Sequence, residues 1–469
     1  MTSGGDRCLP ECTFVVLGGT GDLSKRKLVP AIYKLLTHKR LCKFSVVLIS
    51  NVQTTAQAIL EQARVFVGDA EAILWQHLCD VTYYHCMDFH DTSAYASLHN
   101  VLHDIEQKHG LSGNRIFYLA TMPHHFAVIT KNFAKHGIVN TDPSCQLAGQ
   151  EPWARVVYEK PFGYDLASAR ALNKSITRTF CERCVFRIDH YLGKELVGNI
   201  ALVRFTNRVF EPLWNCSHIE SVHICLSETL GIEGRGAFYD TYGVVKDMVQ
   251  SHMLQILALV AMEAPAHLTA DYIRSAKAAI LKRIIVEDVV LGQYEGYCSE
   301  PAVKSNSTTE TFAAVRLKVR NRRWQGVPFY LTTGKCLDKK ETSVVIKFKP
   351  VRCLLDFCPT TTNTLTINIT PNEGFYLGLN VKTPNVANQV QPVSMDFCHS
   401  CLFGPNTPAA YEVLLADVIK GDQAAFLRAD EIELAWKVIA QVLALKRPLH
   451  GYKQGSAGPV EVKQLYEKG

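Results

Sequence analysis

Residues 14–24 read FVVLGGTGDLS, and this stretch decides the fold of the first part of the chain. The apolar run 14–17 stops at Gly18, which is typical of a strand buried on both faces of a parallel sheet. A helical pattern follows at 31–38, and Pro30 suits the first helical position. Strand, glycine turn and helix predict a dinucleotide site, because glycines let the backbone approach a pyrophosphate and the helix N-terminus faces its charge. An ordinary glycine turn is the alternative.

The following residues continue the alternation of strand and helix. Strands are predicted at 44–49, 115–119 and 154–158, and helices at 56–67, 93–108, 126–136 and 166–179. Such alternation favours a parallel sheet covered by helices. We therefore expect an N-terminal Rossmann-like, dinucleotide-binding α/β domain over residues 1–186.

From Asn199 onwards the pattern changes to short apolar or alternating runs. Strands are predicted at 203–206, 219–226, 309–320, 327–332, 343–348 and 365–369, and helices at 244–262, 409–419 and 430–445. These strands alternate poorly with helices, which favours a large, mainly antiparallel sheet over a second parallel set. Residues 187–469 are therefore expected to form an α+β domain.

Bulk composition restricts the class of partner. The 469 residues are 47% hydrophobic and 20% charged, as in ordinary soluble enzymes. A net charge of +6 favours anionic small molecules but is too dispersed for a nucleic-acid groove. The longest apolar run, 253–262, is too short to span a bilayer. Neither a nucleic acid nor a membrane is expected as a partner.

The cysteines predict no metal site. Sixteen are scattered along the chain, and two Cys-x-x-Cys pairs, Cys181/Cys184 and Cys398/Cys401, lie far apart with no further ligands at zinc-site spacing. We expect reduced thiols in a reducing compartment. Residues 1–11 are polar and lack the apolar core of a signal peptide. A cytoplasmic location follows.

The stretch 187–195, RIDHYLGKE, concentrates cations, carboxylates, a histidine and a tyrosine. A polar turn leading into a helix would account for this mixture. A site that holds an anion and moves a proton needs the same mixture, with Lys194 as a point charge and His190 and Tyr191 as directional donors. Asp189 would then orient a histidine elsewhere and stabilise its charged form.

Three further residues stand at informative places. Lys160 follows the strand 154–158, and ligands of open parallel sheets bind beyond the carboxyl ends of strands; a salt-bridged turn lysine is the alternative. His252 lies on a mostly apolar helix, where a satisfied core histidine is the ordinary interpretation. Asn51 ends the strand 44–49, where an acid selects NAD and an arginine NADP.

RIDHYLGKE closely resembles the signature of the glucose-6-phosphate dehydrogenase family. The resemblance extends from about Phe14 to about Leu465. It includes GGTGDL at 18–23, EKPFG at 159–163, GRG at 234–236 and PNE at 371–373. The family implies oxidation of C1 of glucose 6-phosphate to the 6-phospho-lactone with hydride transfer to NADP, the first step of the oxidative pentose phosphate pathway.

The resemblance also implies a role for each matching residue. His252 is the base, Asp189 orients it, and Lys160 lies between cofactor and sugar. His190, Tyr191 and Lys194 hold the phosphate. Four residues position the sugar ring: Glu228, Asp247, Lys335 and Lys340. The cofactor-binding residues are Gly18, Gly19, Thr20, Gly21, Asp22, Leu23, Asn51 and Lys160.

Two departures from the family pattern qualify these expectations. The family usually has an arginine where Asn51 stands, so we expect NADP to be preferred and NAD to be accepted as well. Some members bind a second, structural NADP in the sheet domain through basic residues. Thr332, Asn368 and Ala457 stand at those positions, so we expect that second site to be missing. A homodimer or homotetramer formed through the large sheet is also implied.

Two other functions remain to be distinguished from the implied one. A related dehydrogenase of another sugar would share the nucleotide domain, but Lys194 with His190 argues for a phosphorylated substrate. A catalytically silent NADP-sensing protein would share the scaffold, but Lys160, Asp189 and His252 are all present.

Overall fold

The computed structural model describes residues 8–139, 152–351, 362–386, 389–403 and 409–467. The chain forms two compact units. Unit 1 contains Met1–Gly193, Thr269–Asp271 and Pro408–Ala429, and unit 2 contains Lys194–Leu268, Tyr272–Thr407 and Asp430–Gly469.

The strands of the described residues follow the chain in this order: β1 Cys12–Leu17, β2 Phe44–Ser50, β3 Thr82–Cys86, β4 Arg115–Leu119, β5 Ala154–Tyr158, β6 Val185–Ile188, β7 Ile219–Ser227, β8 Ile284–Tyr294, β9 Phe312–Val319, β10 Pro328–Gly334, β11 Glu341–Phe348, β12 Thr364–Thr370, β13 Gly374–Lys382, β14 Val390–Cys398, β15 Phe426–Leu427 and β16 Leu449–Tyr452. The predicted domain boundary at 186/187 falls inside β6, and it stays a prediction.

The α-helices are α1 Val29–Thr37, α2 Ala56–Arg64, α3 Ala72–Asp80, α4 Ala94–His109, α5 Phe126–Lys135, α6 Leu166–Thr177, α7 Glu195–Thr206, α8 Gly236–Val244, α9 Leu254–Ala261, α10 Ala270–Leu281, α11 His399–Phe403, α12 Ala410–Lys420, α13 Ala429–Ala444 and α14 Val462–Glu467. Two π-helical segments precede α1 and α9, at Ser24–Leu28 and Val245–Met253. Short 3₁₀ turns lie at Pro123–His125, Glu182–Cys184, Glu211–Leu213 and Tyr297–Ser299.

Unit 1 contains the expected parallel sheet. Its seven strands lie in the order β15-β6-β5-β4-β1-β2-β3, and all pairs are parallel except β15 with β6. Every residue of β1 is buried. Because β1 lies between β2 and β4, the order reverses at this strand, which is where open α/β sheets bind ligands.

A segment from late in the sequence completes unit 1. β15 pairs with the edge strand β6, and α12 supplies Leu414, Val418 and Ile419 to the same hydrophobic core as β1, β2 and α1. The Arg155 side chain donates to the carbonyl oxygen of Val418 at 2.6 Å. Burial of these apolar side chains is the main force holding the late segment here.

Unit 2 contains the expected large sheet. Its nine strands lie in the order β14-β13-β12-β11-β7-β10-β9-β8-β16. Only β10 with β7 and β16 with β8 are parallel pairs among its described strands, so the sheet is mainly antiparallel, as predicted.

The strand predicted at 203–206 is wrong, because these residues lie in α7. The alternation of Val203, Arg204, Phe205 and Thr206 suggested one polar face. Arg204 is instead fully buried, and its guanidinium donates to Glu211 at 2.7 Å and to the Val260 carbonyl oxygen at 3.1 Å. Because this charged residue is buried, the helix lacks the separate polar and apolar faces by which a helix is recognised in a sequence.

Residues Gly236–Ala261 form the one described helical run that is long and apolar enough to cross a membrane by length and composition. Buried residues make up 83% of its apolar window. Gly243 interrupts the run with φ 68° and ψ 172°. This burial is that of a core helix inside unit 2.

The expectation that all cysteines are reduced is wrong for four of them. Cys8 is disulfide-bonded to Cys42, and Cys398 to Cys401. Nine described cysteines lie outside disulfides, including Cys181 and Cys184. The two Cys-x-x-Cys pairs of the sequence therefore differ in redox state.

Candidate active site

The glycine turn after β1 packs directly against its neighbouring strands. The amides of Gly18 and Gly19 donate to the Ile49 carbonyl oxygen at 2.8 and 2.9 Å. Gly18 has φ +92°, and a Cβ atom there would lie 2.4 Å from the Ala120 carbonyl oxygen. A side chain is therefore excluded at Gly18 both by backbone conformation and by space. The backbone itself forms the surface offered to a ligand, which suits a pyrophosphate.

The helix after this turn begins earlier than predicted. The Lys25 amide bonds to the Gly21 carbonyl oxygen at 3.3 Å, and the π-helical segment Ser24–Leu28 runs into α1. Thr20, Asp22 and Leu23 thus lie at the helix N-terminus, where unsatisfied amides and the helix dipole favour an anion. Pro30 is consequently the second residue of α1 rather than its first.

The cations near this turn have partners. Arg26 Nε donates to Asp22 Oδ1 at 2.6 Å, and its guanidinium lies 4.9 Å from the centre of the Phe66 ring. Lys25 Nζ bonds to Gln62 Oε1 at 3.2 Å. All of these groups are on the surface, so a bound phosphate would compete with weak pairs.

Asn51 follows the last residue of β2 and is exposed. The neighbouring Ser50 hydroxyl is 2.8 Å from the Tyr84 hydroxyl, so it is already committed within the protein. The side chain of Asn51 is the neutral group that this strand end presents.

Lys160 lies two residues after the end of β5, beyond the strand as predicted, and the Lys160–Pro161 bond is cis. The preceding Glu159 was not singled out in the sequence. Its Oε1 accepts hydrogen bonds from the Tyr118 hydroxyl at 2.5 Å and the Tyr411 hydroxyl at 3.2 Å. Burial raises the pKa of Glu159 to about 7, against the lowering effect of both phenols and of Lys160. Only folding brings Tyr411 to this strand end.

The stretch 187–195 begins in β6 and ends at the first residue of α7, and residues 189–194 between them form a turn. Asp189 is 1% exposed, and its Oδ1 accepts the Tyr191 amide at 3.0 Å. The Leu192 amide bonds to the Asp189 carbonyl oxygen at 3.0 Å. The rings of His190 and Tyr191 lie 5.0 Å apart. The predicted polar turn leading into a helix is therefore present, and it displays both aromatic donors at the carboxyl edge of the unit 1 sheet.

Lys194 is the first of the predicted site residues that belong to unit 2. It caps the N-terminus of α7, and its Nζ donates to Thr370 Oγ1 at 3.2 Å. Thr370 ends β12 immediately before a cis bond to Pro371. No local pattern points to Thr370, because this contact joins residues 176 positions apart.

Strand pairing brings three more predicted residues to one edge of the unit 2 sheet. Glu228 follows β7, Lys335 follows the parallel β10, and the Glu228 amide bonds to the Gly334 carbonyl oxygen at 3.0 Å. Lys335 Nζ forms an ion pair with Glu228 Oε2 and lies 5.6 Å from the centre of the Tyr239 ring. Lys340 is exposed just before β11, whose first residue pairs with Ser227.

Asp247 and His252 lie on the π-helical segment Val245–Met253. Hydrogen bonds of a π-helix run from residue i to i+5, so residues five positions apart fall on successive turns. His252 is 1% exposed. The pKa of Tyr239 is raised well above its usual value by burial and then by the charges of Asp247, Glu310 and Glu228. The sequence predicted an ordinary α-helix here, whereas these residues form a π-helix.

The described geometry thus groups the predicted residues within each unit. Unit 1 presents the glycine turn, Asn51, Lys160 and the 189–191 turn along the carboxyl edge of its sheet. Unit 2 presents Lys194, Asp247, His252 and the Glu228–Lys335 pair. The roles given to these residues stay predictions.

Known proteins match this chain over nearly its full length. Residues 15–199 match the family described as glucose-6-phosphate dehydrogenase, NAD binding domain, and residues 201–469 match its C-terminal domain. A glucose-6-phosphate 1-dehydrogenase of Chlamydia pneumoniae is 39% identical, over 98% of this chain and 96% of that protein. One of Bacillus subtilis is 37% identical, over 98% and 97%. A solved glucose-6-phosphate dehydrogenase in complex with its substrate glucose 6-phosphate superposes with a TM-score of 0.90 at 31% identity, over 98% of both chains.

Proposed function

Because the chain belongs to the glucose-6-phosphate dehydrogenase family, we propose that it oxidises glucose 6-phosphate at C1 to the 6-phosphoglucono-lactone. It is an oxidoreductase that uses a nicotinamide dinucleotide. The assignment of the substrate rests on one observation: the chain is 37–39% identical to enzymes of this activity over nearly its full length.

The reaction removes a hydride from C1 and a proton from the C1 hydroxyl. A bound NADP would accept the hydride and its electron pair at C4 of the nicotinamide. We propose that neutral His252 takes the proton and that Asp189 stabilises the resulting imidazolium. Lys160 holds the sugar against the nicotinamide.

The remaining polar residues would hold the substrate. His190, Tyr191 and Lys194 bind the phosphate, where a lysine supplies charge and the rings supply directional donors. Thr370 supports this assignment for Lys194, because its hydroxyl accepts a 3.2 Å hydrogen bond from the ammonium and so positions this charge beside the end of β12. Glu228, Asp247, Lys335 and Lys340 position the ring and its hydroxyl groups.

We further propose that NADP is preferred and that NAD is also accepted. An acid after β2 would exclude the 2′-phosphate, whereas the exposed Asn51 is neutral. Arg26 supports the preference for NADP, because its surface pair with Asp22 can be exchanged for a phosphate at little cost.

A homodimer or homotetramer through the nine-stranded sheet completes the proposal. Among the described strands, the edge strand β14 pairs only with β13, and it exposes Val393 (36%) and Met395 (63%). Exposed apolar edge strands are ready sites for pairing with another chain. Light scattering on the purified protein tests this, and a monomer at micromolar concentration would contradict it. We also propose that the protein is cytoplasmic. Its reaction would be the first step of the oxidative pentose phosphate pathway.

One assay distinguishes the proposed function from its rivals. Reduced nicotinamide is followed by absorbance with NADP and either glucose 6-phosphate or glucose. Turnover with the phosphorylated sugar and very little with glucose is expected. Turnover with glucose alone would identify a dehydrogenase of another sugar, and NADP binding without turnover on either would identify a silent sensor.

A further inference from the structure

The pair Cys181 and Cys184 has no part in the proposed reaction. It brackets the 3₁₀ turn Glu182–Cys184, which leads directly into β6. The two sulfurs lie 3.7 Å apart. Cys184 is 8% exposed and Cys181 is half-buried. A reagent therefore reaches Cys181 before it reaches Cys184.

The spacing is compatible with a disulfide in this chain. Cys398 and Cys401 have the same Cys-x-x-Cys spacing and are bonded, with their Cα atoms 5.2 Å apart. A disulfide requires the sulfurs to approach to about 2.05 Å. Since both Cys181 and Cys184 lie on one short turn, side-chain rotation supplies most of that movement.

The two thiols are electronically unequal. The hydrogen bond between the two thiols lowers the pKa of Cys181 to about 6, and the charge of Arg183 acts in the same direction. The same contact and burial raise the pKa of Cys184, against the opposing charge of Arg155. Cys181 therefore forms the thiolate, the form of cysteine that attacks, more readily than Cys184 does.

We propose that Cys181 and Cys184 form a reversible dithiol site that takes low-molecular-weight disulfides as its oxidant. The Cys181 thiolate attacks one sulfur of the small disulfide and displaces a small thiolate, which takes up a proton. Cys184 then loses its proton to solvent and attacks the Cys181 sulfur, displacing the second small thiolate. Two protein thiols become one disulfide, and the small disulfide is reduced to two thiols.

The dithiol turn leads into β6, the strand that ends immediately before Asp189. Glu182, between the two cysteines, accepts from Arg187 Nη1 at 2.6 Å and from the Ala429 amide at 3.1 Å. Gln423 Nε2 donates to the carbonyl oxygens of Glu182 and Val185 at 2.9 and 2.8 Å. Closure of the disulfide moves this turn, and Arg187 lies two residues before Asp189. We therefore expect oxidation to lower turnover of the sugar phosphate.

Two other interpretations fit the pair less well. A closed zinc site needs four ligands, and the two sulfurs supply only two. In an inert buried pair, burial would raise the pKa of both thiols. Here the pKa of Cys184 is raised and that of Cys181 is lowered.

Glutathione redox mixtures at neutral pH test the proposal directly. The full-length protein is equilibrated with oxidised and reduced glutathione, remaining thiols are alkylated, and peptides are mapped by mass spectrometry. We expect a Cys181–Cys184 disulfide that forms and disappears with the glutathione ratio. Complete alkylation of both thiols in a large excess of oxidised glutathione would overturn the proposal.

Single variants separate the attacking from the resolving thiol. Cys184→Ser is expected to accumulate a mixed disulfide of glutathione with Cys181. Cys181→Ser is expected to react with oxidised glutathione at least about tenfold more slowly than wild type. Glutathione found on Cys184 and not on Cys181 would contradict the assigned order. If either variant fails to fold, alkylation of the unmodified protein decides instead: the rate at Cys181 should rise with pH through about 6, the value to which its pKa is lowered. A rise only above about 8 would overturn the proposal.

Activity measurements then test the link to β6. Oxidised wild-type protein should regain its turnover on reduction by dithiothreitol, while Cys181→Ser should be unaffected by oxidised glutathione. Formation of the disulfide is measured without substrate, so it tests the dithiol site even if the protein does not oxidise glucose 6-phosphate. Conversely, absence of the disulfide would contradict the dithiol site and would not affect the proposed sugar oxidation.

Discussion

The Tyr118 hydroxyl donates a 2.5 Å hydrogen bond to the carboxyl group of Glu159, the residue immediately before Lys160. Tyr411 donates to the same oxygen from α12 at 3.2 Å, and Asp189 adds a charge that raises the pKa of Glu159. Burial is the largest cause of the rise to about 7. The carboxyl group therefore changes its charge close to neutral pH, beside a lysine proposed to hold the substrate.

This shift predicts a pH dependence of stability. The pKa of Glu159 rises from 4.5 to about 7 on folding. Its contribution to the free energy of unfolding is therefore fully present below pH 4.5 and is lost as the pH rises through 7, a change of about 3 kcal/mol. Thermal melting of wild type and Glu159→Gln from pH 5 to 8 measures it. The difference between the two melting points should change with pH, and parallel curves would show that Glu159 titrates normally.

Proton transfer predicts the effect of His252→Asn. Loss of a general base costs roughly 10²–10⁴-fold in kcat. His252 is buried, so thermal melting must show that the variant is folded. His267→Asn, an exposed histidine of the same unit, is the matched control and should keep full activity. Activity of His252→Asn within about threefold of wild type would remove His252 from the mechanism.

Phosphate recognition predicts the effect of Lys194→Ala. The KM for glucose 6-phosphate should rise roughly 10–100-fold, because charge-assisted contacts contribute about 1.5–3 kcal/mol. The poor KM for glucose should change far less. Thr370→Val is the matched control, since it removes the 3.2 Å hydrogen bond to Lys194 and keeps the ammonium charge. An equal loss for both sugars would assign a structural role to Lys194.

Cofactor choice depends on the residue after β2. The neutral Asn51 predicts measurable activity with NAD and a preference for NADP. Asn51→Arg should sharpen that preference, and Asn51→Asp should shift it towards NAD, because an acid repels the 2′-phosphate and binds the ribose hydroxyls. Steady-state kinetics with both cofactors decide the matter. A wild-type preference for NADP above about 10⁴-fold would mean that another cation, such as Arg26, selects the phosphate.

A second structural nucleotide is expected to be absent. The Thr332 hydroxyl lies 2.7 Å from the Tyr466 hydroxyl, and the Tyr466 ring packs 5.1 Å from that of Tyr330. Neutral groups of the protein thus contact each other where some relatives carry cations, and charged hydrogen bonds are about twice as strong as neutral ones.

Calorimetric titration tests this with a stoichiometry of one NADP per chain. Gly21→Val should abolish that binding, because a Cβ atom at Gly21 already approaches the Gly18 carbonyl oxygen to 3.0 Å. Removal of nucleotide by gel filtration should leave thermal stability unchanged. A stoichiometry near two, with one site surviving Gly21→Val, would contradict the prediction.

Sequence reasoning was most successful where the pattern is local. The run 14–17 is buried on both faces in β1, and the glycine turn at Gly18 follows it as predicted. It was wrong at 203–206, because buried Arg204 has distant partners that no local pattern reveals. It also missed Glu159, whose phenol partners Tyr118 and Tyr411 are 41 and 252 residues away.

The amino-acid sequence by itself determined the family, the two kinds of sheet and the residue types available for chemistry, because apolar periodicity, glycine turns and RIDHYLGKE act over a few residues. Only the tertiary structure decided what surrounds each group. It placed α12 on the unit 1 core, Thr370 beside Lys194 and Cys184 against Cys181. The physical reason is that burial, hydrogen bonding and charge act through space, so the pKa of Glu159 depends on neighbours that chain folding alone brings within reach.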